Sequence, residues 1–224
     1  MSAPDLSPAF FDAWVAMARR LGADPLDLAR VAYAETGLLQ RATDPRSNAG
    51  GIYPFMPSTL RGLGWTGTPE EFRAQNPLEQ LPWVERYLVR YAPYLRNDGL
   101  VYVATFTPAY LARAAAGGDG FAIASEGDPI YDSNTILDRD ANGTITVGDL
   151  RRHLEIMDRG PRYETIASEI RARSGVRVTG TARSVAVPVA IATAALAAWY
   201  LYGTTDGARL RRRTASSLAS YGVA

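Results

Sequence analysis

Apolar positions recur at helical spacing along most of the chain. Ser7-Pro8 opens a first segment that runs to about Leu21 and stops at Gly22; Ser7 suits an N-cap and Pro8 a first helical position. Asp24-Pro25 repeats that start, with Asp27 as an acid in the first turn. This second helix is expected to end near Thr36, with Gly37 as the left-handed residue beyond it. Its apolar stripe is Leu28, Val31 and Ala32, and the next position on the stripe is Glu35. Residues 38–55 are rich in turn formers, and Pro57-Ser58-Thr59 starts a short helical piece ending near Gly62 or Gly64. From Asn76-Pro77 a longer helix carries Leu81, Val84, Tyr87, Leu88 and Tyr91 on one side, with Pro82 expected to delay or kink its start. Gly99 to Ala116 reads as a further apolar helix interrupted at Pro108.

Beyond Gly117-Gly118-Asp119-Gly120 the pattern changes to a polar loop, a helix over about Thr146 to Met157, and a polar helix over about Pro161 to Arg173. The fold class expected is mainly α. The organisation expected is a helical domain over 1–122, a loop segment over 123–160, a polar helix and linker over 161–184, an apolar helix over 185–203 and a basic tail over 204–224. Val185 to Tyr202 holds no charge, and eighteen helical residues span about 27 Å, near the ~30 Å of a bilayer core. Trp199, Tyr200 and Tyr202 gather at one end, and Arg209, Arg211, Arg212 and Arg213 follow. That order suits a transmembrane helix with its tail on the cytoplasmic side. The alternative is a helix buried in a protein assembly.

Composition narrows the chemistry. With no cysteine, disulfides and thiol chemistry are excluded, and a net charge of +1 argues against nucleic acid as the main partner. All 24 basic residues are arginine. The start Met1-Ser2-Ala3-Pro4-Asp5 lacks a basic stretch followed by an apolar run, so no secretory signal is expected there.

Glu35 is the candidate catalytic residue. Stripe position and helix end both oppose a charged carboxylate, the first by desolvation and the second through the helix dipole. A glutamate held protonated near neutral pH can deliver a proton to a glycosidic oxygen. The alternative is an ordinary surface residue at a helix end. Asp44, before Pro45, reads first as a turn former and second as a candidate second carboxylate.

Glu35-Thr36-Gly37, then Gly51-Ile52-Tyr53-Pro54-Phe55 and Pro57-Ser58-Thr59, resemble the lysozyme-like lytic transglycosylase superfamily, especially its phage-associated members. The resemblance covers about residues 8–115. It implies a lysozyme-like fold and cleavage of the glycan strand of peptidoglycan. Glu35 would be the single acid and then base, and the muramic acid's own 6-hydroxyl would attack, breaking the glycosidic bond and giving an anhydro product. It further implies glycan contacts at Gly51, Ile52, Tyr53 and Phe55, and at Phe106 and Tyr110, whose other reading is core packing. The chain departs from the family pattern where Pro54 replaces a glutamine of the turn and where a Tyr-Asn pair is absent. The resemblance and the apolar run imply a virion protein acting at the host periplasm and envelope. Its partners would be peptidoglycan, other virion or tail proteins and, through 185–203, the host inner membrane. The alternative function is a catalytically inactive structural or channel-forming virion component with a glycan-binding domain.

Asp138, Asp140 and Asn142 stand at positions 1, 3 and 5 of an Asp-x-Asp-x-Asn-Gly loop, with Gly143 at position 6, Ile145 at position 8 and Asp149 at position 12. Oxygen ligands at this spacing, with the carbonyl of Thr144, can encircle Ca²⁺. The loop resembles those of EF-hands, with the shorter Asp of dockerin-like loops at the last position and no clear entering helix. A structural calcium is expected; the alternative is a metal-free turn. His153 is expected to pack rather than bind metal.

Overall fold

A computed structural model describes residues 6–45 and 47–175. These residues are mainly helical: α1 (Pro8–Leu21), α2 (Pro25–Thr36), α3 (Pro57–Gly62), α4 (Pro69–Ala74), α5 (Pro77–Leu88), α6 (Asp98–Phe106), α7 (Leu111–Gly117), β1 (Ala122–Ser125), α8 (Pro129–Asp132), β2 (Thr144–Thr146), α9 (Val147–Met157) and α10 (Pro161–Ser174). The segments 185–203 and 204–224 lie outside the described residues, as does 176–184 at the end of the polar helix and linker. Among the described residues no helix is long and apolar enough to cross a membrane.

Local chemistry sets the helix ends. The Ser7 and Asp24 side chains accept the Phe10 and Leu26 backbone N–H groups, and Gly22, Gly37 and Gly175 take the left-handed conformation that closes α1, α2 and α10. Asn76 and Glu79 form a reciprocal capping box, so α5 begins at Pro77 without delay and runs through Pro82 in its second turn. The expected delay does not occur because the cap and Pro77 already satisfy the first turn. Helix α4 was not expected from the apolar pattern: it has one buried apolar residue, Phe72, and depends on the Thr68–Glu71 capping box. Pro108 separates α6 from α7 as expected, through a short 3₁₀ turn.

Strands β1 and β2 pair antiparallel, Ala124 opposite Ile145 and Ser125 opposite Thr144, with an irregularity after Ala122. Three and four residues are too short for an alternating pattern to be visible in sequence. The pairing matters for the aspartate loop, because β1 holds β2, into which the loop leads.

One buried cluster runs from Phe10 on α1 to Ile170 on α10. Helix α10 packs on α1 and α2, and α9 packs on α6 and α2. The helix that looked polar, α10, buries Tyr163, Ile166, Ala167 and Ile170 on one face. Residues 123–174 therefore share a core with residues 8–117. An ion network reinforces the joint: Asp98 of α6 accepts from Arg30 of α2 at 2.6 Å and Arg151 of α9 at 3.0 Å, and Arg30 reaches Asp158 at 2.9 Å.

Candidate functional site

Glu35 is the penultimate residue of α2 and is 6% exposed. Burial pushes its pKa up to about 7; the Tyr102 hydroxyl of α6 pulls the other way. That hydroxyl has no partner in full hydrogen-bond geometry among the described residues, so it offsets only part of the desolvation. The shift favours the protonated carboxyl toward neutral pH. This is the state a general acid needs.

The turn after α2 is fixed by two side chains. Thr36 donates its hydroxyl hydrogen toward the carbonyls of Ala32 and Ile52, each 2.9 Å away, and accepts from Leu38 N at 3.2 Å. Gln80 of α5 accepts from Ile52 N at 2.8 Å and donates to the carbonyls of Gln40 and Gln75. Residue 52 is thus held through both of its backbone polar groups. Gln80 is fully buried, yet as one polar residue on an amphipathic helix it gave no sign of this role. Gly50 and Gly51 are required by space. A Cβ on Gly50 would lie 1.9 Å from the Ala42 carbonyl oxygen, and Gly51 has φ +102° with Gln80 and Phe72 close by.

The residues expected to face a glycan are placed unevenly. Gly51, Ile52, Tyr53 and Phe55 are all buried, as is Phe106. Tyr53 shares a hydrogen bond with the Thr105 hydroxyl, and Phe55 packs edge-on to Phe72 and Tyr87. Phe106 lies near Tyr102, 6.3 Å between ring centres. In this conformation these residues are part of the core and offer no face to a sugar. The turn residues are buried because the turn folds inward onto α5 and α6, and Phe106 because it lies on the inner side of α6 beside Tyr102. Only Tyr110 is partly open, with the Arg113 guanidinium 4.7 Å from its ring centre. Asp44 is also buried. It accepts from the Ser47 hydroxyl at 2.5 Å, and its backbone closes the same turn with Asn48 and Ala49. A cleft of about 310 Å³ lined by Leu38, Leu39, Gln40 and Arg41, among others, opens just beyond the end of α2. Glu35 is not on its lining.

The aspartate loop is separate from this region. Asp138, Asp140 and Asp149 each bring a carboxylate oxygen within 4.8 Å of the other two. The all-oxygen donor set fits a hard cation. Ala141 and Gly143 take positive φ and bend the chain around the cluster. Asp138 accepts from Asn142 N, Gly143 N and the Tyr131 hydroxyl. Despite partial burial, these bonds hold its carboxyl below the usual range. Asn142 Oδ1 accepts from Thr144 N at 2.9 Å, so it faces its own loop, and Thr144 opens β2. Asp149 is fully buried and caps α9 with Thr146. His153, one turn further along α9, is buried; neither ring nitrogen has a partner among the described residues, and burial pushes its pKa down to about 4.

Comparison of the chain with protein-family models, with curated proteins and with solved structures finds no match.

Proposed function

We propose that the chain is a peptidoglycan-cleaving enzyme of lysozyme-like fold, in which Glu35 protonates the leaving oxygen of the glycosidic bond. The observation that carries this reading is a buried glutamate at a helix end with its pKa pushed up to about 7 by desolvation. A docked glycine turn follows it, held to α2 by Thr36 and to α5 by Gln80.

The reaction class is intramolecular transfer. Asp44 is engaged with Ser47 in its own turn, which supports Glu35 as the single acid and base of the reading. Glu35 gives its proton to the departing oxygen and, as carboxylate, takes one from the sugar's 6-hydroxyl as that oxygen closes on the anomeric carbon. The Tyr102 hydroxyl is placed to donate to that carboxylate once it forms. Mass spectrometry of the fragments released from purified wall tests the class. Anhydro ends are expected; reducing ends, heavier by one water, would make the enzyme a hydrolase.

We further propose that Asp138, Asp140, Asn142, Thr144 and Asp149 hold a structural Ca²⁺. The chain would serve in a phage particle at the host envelope, with segment 185–203 meeting the inner membrane or other virion proteins. A second reading is a glycan-binding virion component without activity. It draws on Pro54 in the turn and on the burial of Ile52, Tyr53, Phe55 and Phe106. Wall binding without fragment release would favour it.

A further inference from the structure

The carboxylate of Asp149 is saturated. Its Oδ1 accepts from Arg139 N at 3.1 Å and from Arg152 Nη2 at 2.7 Å, and its Oδ2 accepts from Thr146 N at 3.0 Å and the Thr146 hydroxyl at 2.5 Å. An ionised carboxylate offers about four acceptor directions, so another ligand can reach it only if one donor leaves. Three of the four donors are fixed: two are backbone N–H groups and the third is the Thr146 cap of α9. The fourth, Arg152, lies on a half-exposed side chain, and the same Nη2 also contacts Asp140 Oδ2 at 3.1 Å. Its positive charge thus bridges two of the three clustered carboxylates, 4.8 Å or less apart.

We propose that Arg152 is a built-in counter-ion of the aspartate loop, which a divalent cation must displace to bind, so that this one residue weakens the loop's affinity for Ca²⁺. The inference rests on the calcium reading of the loop. Swinging Arg152 out frees one direction on Asp149 Oδ1 and one on Asp140 Oδ2, while the backbone donors and the Thr146 cap keep the loop's shape. The guanidinium is half in water, so each of its two ion pairs is weak by itself, and a cation must outcompete both together.

Isothermal titration of the full-length chain with CaCl₂ tests this, comparing wild type, Arg152→Gln and Arg159→Gln. Arg159 is exposed and donates to the Glu155 carbonyl, so its loss changes net charge equally without touching the loop. Arg152→Gln is expected to bind Ca²⁺ roughly ten-fold more tightly than wild type, the scale of two exposed ion pairs, and Arg159→Gln to match wild type. Far-UV circular dichroism in EDTA checks that each variant is folded. Equal or weaker binding by Arg152→Gln, with wild type binding normally, overturns the counter-ion role and leaves the calcium loop standing. No heat of binding from wild type or from Arg152→Gln at millimolar CaCl₂ overturns both.

Discussion

Two buried titratable residues oppose each other across the mildly acidic range. Unfolded Glu35 titrates near 4.5 and folded Glu35 near 7. Between those values the folded chain keeps a proton that the unfolded chain has lost, so stability falls as pH rises. Asp27, pushed up to about 6 by burial and by the charge of Asp98, acts in the same direction. His153 is reversed: its pKa drops from 6.5 to about 4, the unfolded chain holds the extra proton, and stability rises with pH across that window. Glu35→Gln is therefore expected to be more stable than wild type above pH 7 by roughly 3 kcal/mol, with the gain fading toward pH 4.5. His153→Leu is expected to gain stability relative to wild type below pH 6.5, where the unfolded wild type binds a proton that the buried ring does not take up. Urea unfolding at pH 4, 6 and 8 measures both. Stripe spacing made the burial of Glu35 legible in the sequence. The opposing role of His153 was not, because a lone helical histidine gives no sign of what surrounds it.

At the scale of elements, the turn from Ala49 to Phe55 is held by its neighbours more than by its own residues. Gly50→Ala places a methyl against the Ala42 carbonyl and is expected to cost more than about 3 kcal/mol or to abolish folding. Gln80→Leu leaves Ile52 N without its buried acceptor and is expected to cost about 1–3 kcal/mol. It should lower wall cleavage more than stability, which thermal melts and activity on the same preparation would separate. The glycines and the start signals of α1, α2 and α5 were plain in the sequence because backbone conformation and capping are local. Helix α4 and the β1–β2 pair were not, since a six-residue helix with one core residue and strands this short carry no period. The inward orientation of Tyr53, Phe55 and Phe106 was also hidden: an aromatic near an acid looks the same in sequence whether it meets a ligand or the core.

At the scale of the whole molecule, α9 and α10 close the core that α1, α2 and α6 begin, and the Arg30–Asp98–Arg151 network spans the joint. Ile166→Ala, on α10 against α1 and α2, is expected to cost about 2–4 kcal/mol. It should lower the unfolding midpoints of far-UV and near-UV circular dichroism together; a separate early transition would show that 123–174 unfolds alone. Long-range packing of this kind left only a one-sided apolar pattern on α10, easily mistaken for a polar helix. The central claim is that Glu35 is a proton donor held ready by burial. Zymography on purified wall, with wild type and Glu35→Gln at equal amounts and with matched circular dichroism, tests it most directly. The account predicts clearing by wild type and none by Glu35→Gln; equal clearing by the two would contradict it.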